Sequence, residues 1–64
     1  MNRRKLMQHL KQHGCVVLRE GRRHTVVFNT LKDLQAVVER HGEINARTVQ
    51  GICKHLDVPP PTEK

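Results

Sequence analysis

His24 is the residue with the best neighbours for phosphate chemistry. It follows Arg22 and Arg23 in the segment Leu18-Arg19-Glu20-Gly21-Arg22-Arg23-His24. An imidazole has an unperturbed pKa of about 6.5, so near neutral pH it can take a proton from a hydroxyl or give one to a leaving oxygen. Guanidinium groups beside it can hold a phosphate and stabilise the charge that builds there. A second basic segment, Arg40-His41-Gly42-Glu43-Ile44-Asn45, lies downstream. His9 and His13 are spaced i, i+4, and Cys53 and His55 flank Lys54. Neither pair makes a four-ligand structural zinc set, so no metal and no cofactor are expected. The chain has no Gly-rich phosphate loop, and no Ser-His-Asp arrangement follows from its spacing.

Such residues need a scaffold, and 64 residues allow one small domain. A chain this short hides only about 60% of the surface it exposes when unfolded. Phe28 is the one aromatic residue, so the core must come from Leu, Val, Ile and Met. Chemistry is confined to a surface or a shallow groove. Twelve Lys and Arg against six Asp and Glu give a net charge of +6. A basic surface recruits polyanions by releasing their counterions, which points to nucleic acid. Cys15 and Cys53 sit in apolar contexts and read as buried free thiols. Met1-Asn2-Arg3-Arg4-Lys5 leads into no apolar signal region, and no stretch approaches the ~20 apolar residues of a membrane span. The expected compartment is the cytoplasm.

The elements follow from periodicity. Asn2 can cap a first helix over residues 3–13, with Leu6, Met7 and Leu10 on one face and Gly14 as its stop. Lys5, Gln8, Lys11 and Gln12 form its solvated side, and Arg3 and Arg4 also read as solvated. Cys15-Val16-Val17-Leu18 and His24-Thr25-Val26-Val27-Phe28 read as two strands around a Gly-containing turn. His24, Val26 and Phe28 then share one face, and Thr25 and Val27 the other. Residues 30–41 are ambiguous. Leu31, Leu34, Val37 and Val38 recur at helical spacing, whereas Gln35-Ala36-Val37-Val38 can also make a third strand. Asn45 caps a last helix whose buried stripe is Val49, Ile52, Cys53 and Leu56. Gly51 inside it suggests close approach of another element. Residues 1–58 form the domain, and the Pro-rich 59–64 a disordered tail.

Taken together, Arg4-Lys5-Leu6, His13-Gly14-Cys15, Arg19 to His24 with Asn29, Arg40 to Asn45, and Val49, Ile52-Cys53 and Leu56-Asp57-Val58 resemble the HicA family of bacterial toxins. The resemblance covers Arg4 to Val58. It implies an α+β fold like a double-stranded-RNA-binding domain: α1-β1-β2-β3-α2, a three-stranded antiparallel sheet with both helices on one face. It implies metal-independent cleavage of messenger RNA with His24 as general acid/base, and a HicB-type antitoxin partner that covers the active face. Arg19, Arg22, Arg23, Arg40 and His41 are the expected RNA contacts. Three positions depart from the family pattern. Arg22 stands where a small residue is usual, and Glu39 and Thr30 stand where prolines are common. The spacing from Asn29 to Arg40 fits the family without a gap, which favours the third strand over the helix.

In single-stranded RNA the ribose 2′-OH is an internal nucleophile, so cleavage does not strictly require a metal. The alternative is a non-catalytic RNA-binding module, or a degenerate toxin that only docks its partner. A DNA reader built on the last helix is disfavoured, because a hairpin and two helices do not make a helix-turn-helix unit.

Overall fold

A computed structural model describes residues 1–40 and 42–61. Asparagine starts both helices. The Asn2 side chain accepts the Arg4 N–H at 2.8 Å and opens α1 (Arg3–Gln12). Asn45 accepts the Arg47 N–H at 2.7 Å and opens α2 (Ala46–His55). Each bond satisfies an amide that the first helical turn leaves without a partner. The first helix stops where Gly14 takes a φ of +86°, and a Cβ there would meet Leu31 Cδ1 at 2.8 Å. Glycine is the residue that adopts this left-handed conformation without steric cost.

Between the helices run β1 (Cys15–Glu20), β2 (His24–Asn29) and β3 (Leu34–Glu39), antiparallel in the order β1-β2-β3. This is the expected α+β order α1-β1-β2-β3-α2. Alternation along the strands decides what is buried. Thr25, Val27 and Asn29 of β2 and Ala36 and Val38 of β3 face the helices and are buried. They pack with Leu6 and Leu10 of α1 and with Val49, Ile52, Cys53 and Leu56 on and after α2, so both helices cover the same face. The stripe expected on the last helix is the buried one. The opposite sheet face carries His24, Val26 and Phe28 and is open. In β1 the register with β2 shifts between Val17 and Arg19, so Leu18 is an extra residue, a β-bulge.

The ambiguous segment is a turn and a strand. Asn29 O accepts the N–H groups of Lys32 and Asp33 at 3.3 and 2.8 Å, and Asp33 has a φ of 59°. The chain then reverses into β3, which pairs with β2 from Asn29↔Leu34 to His24↔Glu39. Helical spacing would have put Leu31, Leu34, Val37 and Val38 on one covered face. Instead Leu31 and Val37 are 75% and 55% exposed while Val38 is fully buried. The expected close approach at Gly51 is also corrected: the glycine is exposed, and a Cβ there would meet open space. Of the Pro-rich end, Pro59 O lies 2.7 Å from His9 Nε2, and residues 62–64 lie outside the described residues. Among the described residues no helix is long and apolar enough to cross a membrane.

Asn29 holds the far end of the sheet to α2. It is buried, donates from Nδ2 to Leu56 O at 2.6 Å and accepts the Leu31 N–H on Oδ1 at 2.9 Å. One side chain thus closes β2, starts the following turn and satisfies a carbonyl at the end of the last helix. Asn29→Ala is expected to lower unfolding free energy by about 2–3 kcal/mol, because it leaves a buried carbonyl unpaired. Urea denaturation checks this, and a loss under 0.5 kcal/mol would show that water replaces the amide.

Cys15 and Cys53 are both free and buried, as their contexts predict. Burial pushes both thiols above the ordinary range, and for Cys53 the neighbouring Cys15 adds to the effect. The folded chain therefore resists ionising its thiols where the unfolded chain ionises them. The stability this represents is present below the ordinary thiol pKa and declines as pH rises above it. Urea titrations at increasing alkaline pH should show a falling midpoint, and Cys→Ser variants at both positions should flatten that slope.

Candidate active site

The β1–β2 turn is built by its backbone. Gly21 N–H donates to His24 O at 2.8 Å, which closes a two-residue tip made of Arg22 and Arg23. Neither arginine has a positive φ, so the tip turns without left-handed backbone. Arg40, just past β3, braces the same turn. Its Nη1 donates to Gly21 O at 2.9 Å and its Nη2 lies 3.4 Å from Glu20 Oε2.

These elements bring Arg22, Arg23, His24, Glu39 and Arg40 around one surface groove of about 480 Å³. His24 opens β2 and is exposed. Four of the residues singled out from sequence therefore converge: His24, Arg22, Arg23 and Arg40. Arg19 does not line the groove. It stands opposite Val26 in β1, on the open face that His24 shares. His41 lies outside the described residues. Among the described residues the groove brings together one imidazole and three guanidinium groups, types that can transfer protons and hold a phosphate, and it is open to solvent.

Two residues of the site were missed by sequence reasoning. Glu39 lies directly across the ladder from His24. Arg40 N–H donates to Arg23 O at 3.2 Å, which makes His24–Glu39 a non-hydrogen-bonded pair, the kind with the closer side chains. Arg3, read as part of a solvated helix face, turns inward. Its Nη2 donates to the buried Thr25 Oγ1 at 2.8 Å, its Nε donates to Glu39 O at 3.1 Å, and its Nη2 lies 3.8 Å from Glu20 Oε2. It fastens α1 to all three strands directly beneath the groove. The one available sequence signal was the position of Arg3 in the first turn of α1, close to the ends of the strands.

Away from the groove, the His9 and His13 rings lie 4.6 Å apart between centroids and tilted by 55°, and His9 meets the Pro59 carbonyl. Among the described residues no three His, Cys, Asp or Glu side chains gather as a metal-binding group. In comparisons with known proteins, the chain matches no family model, no curated protein and no solved structure.

Arg3→Met should lower stability by about 2 kcal/mol, the scale of a charged hydrogen bond lost with its buried partner left unpaired. Thr25→Val removes that partner and keeps its shape. The double variant should lose clearly less than the sum of the two single changes. Strict additivity in urea denaturation would show that Arg3 and Thr25 are not coupled.

Proposed function

We propose that this chain is a metal-independent endoribonuclease of the HicA kind: the toxin of a toxin–antitoxin pair, cleaving messenger RNA in the cytoplasm. The observation that carries the reading is the convergence of His24 with Arg22, Arg23 and Arg40 in one open groove. The charge excess and the sequence resemblance point the same way.

In the proposed reaction, the guanidinium groups of Arg22 and Arg23 hold the scissile phosphate. Arg40 braces the turn from which they project. The ribose 2′-OH attacks the adjacent phosphorus, and His24 handles the protons that must move. Bond formation and cleavage occur within the RNA itself, so the protein has only to position, stabilise charge and transfer protons. A shallow groove suits single-stranded RNA, whose backbone can bend to the protein surface.

A HicB-type antitoxin is the proposed partner. The groove opens at the end of a sheet face on which Val16 and Val37 are 45% and 55% exposed and Val26 and Phe28 half-buried. An acidic protein laid on that face would cover apolar area, neutralise arginines and occlude His24 together. Binding would also stabilise a domain with so thin a core by mass action.

The test is cleavage of an unstructured transcript in the presence of EDTA. The parent chain should cleave, and His24→Ala should lose at least about a hundredfold, the range of general acid–base catalysis. Arg22→Ala and Arg23→Ala should each weaken RNA binding and reduce the salt dependence by about one counterion-release step. Cleavage undiminished in His24→Ala would remove the assignment. RNA binding without cleavage by the parent, and without growth arrest on induction, would make the chain a non-catalytic RNA-binding module.

A further inference from the structure

Cleavage of RNA by its own 2′-OH moves two protons, one off the attacking oxygen and one onto the leaving oxygen. His24 is one group with which to move them. The structure places a second beside it. Glu39 lies across the ladder from His24 in a close pair, and both line the same groove.

The two glutamates near this site differ in what holds them. Glu20 Oε2 lies 3.4 Å from Arg40 Nη2 and 3.8 Å from Arg3 Nη2, so it belongs to the brace under the turn. Glu39 is held by its backbone instead: Arg3 Nε takes its carbonyl, and its carboxylate enters no ion pair among the described residues. It forms none with His24 either, so both side chains are available in the groove. The charged groups around the pair are Arg3 from α1, Arg19 and Glu20 from β1, Arg22 and Arg23 from the turn, and Arg40 after β3.

A carboxylate in a groove suited to phosphate is unfavourable for binding, because like charges repel. A catalytic role would offset that cost. Resting on the nuclease reading above, we propose that Glu39 is the general base and His24 the general acid of the cleavage step. A carboxylate is already deprotonated at neutral pH and so meets the substrate as a base, whereas an imidazolium can deliver a proton. Glu39 takes the proton from the 2′-OH as the O2′–P bond forms. The P–O5′ bond breaks as His24 protonates O5′. The products are a 2′,3′-cyclic phosphate and a 5′-hydroxyl, and proton exchange with solvent resets both residues.

The proposal and plain electrostatics predict opposite signs for Glu39→Gln. If the carboxylate only repels RNA, its removal tightens binding and raises cleavage. If it is the base, kcat falls about a hundredfold, KM does not rise, and the acid limb of the pH–rate profile disappears. Glu39→Asp should keep that limb at reduced kcat. Asp33→Asn, a carboxylate removed beyond the other end of β3, should cleave like the parent. Circular dichroism and urea denaturation establish that each variant is folded. A uridine 3′-phosphate ester with a nitrophenolate leaving group, which needs no protonation, assigns the roles. On it His24→Ala should recover most of its activity and Glu39→Gln should not. Glu39→Gln cleaving as well as the parent, with His24→Ala still inactive on RNA, overturns this proposal and leaves the nuclease reading standing. A parent chain that does not cleave removes both.

Discussion

The guanidinium of Arg3 is the interaction on which the arrangement of the site depends. It reaches from the first turn of α1 to a hydroxyl on β2, a backbone carbonyl on β3 and a carboxylate on β1. A domain with a single aromatic residue has little apolar area with which to fix the angle between helix and sheet. A planar, multidentate cation supplies direction that packing of small aliphatic side chains does not. Thr25 and Glu39 are the two points it grips on the central and third strands. They neighbour and face His24, so helix position and site geometry are set by the same contact.

Arg40 does comparable work from the other side. Bound to Gly21 O and Glu20, it stiffens the hairpin tip. The cationic residues of the groove thus divide into two kinds. Arg40 is engaged with protein, while Arg22 and Arg23 sit on the tip itself. A basic cluster in a sequence gives no sign of this division, because it depends on which carbonyls and carboxylates come within reach after folding.

Much of the scaffold was legible all the same. Asn2, Gly14 and Asn45 act locally, through the amides within a turn of them, so the helix ends follow from residue type. The stripe of Val49, Ile52, Cys53 and Leu56 follows from one period. Residues 30–39 obey a different rule. Their spacing satisfies a helix, yet pairing with β2 and the turn organised by Asn29 and Asp33 decide the outcome, and these are contacts across the chain. His24 was legible because its neighbours in sequence are its neighbours in space. Glu39 and Arg3 were not, since one needs the strand register and the other needs the position of α1 over the sheet. Gly51 shows the reverse case, a residue whose type suggested a contact the fold does not make.

The bulge at Leu18 interrupts one of the two outer edges of the sheet, the one formed by β1. β1 is an outer strand with Val16, Val17 and Leu18 all exposed, which is a pattern that invites strand-to-strand association. An extra residue partway along breaks the regular sequence of donors and acceptors and increases the local twist. A second copy docking there would find a matching ladder for only a few residues on either side of Leu18. The β1 edge is therefore poorly suited to fibre-like growth even though its side chains are apolar and uncovered.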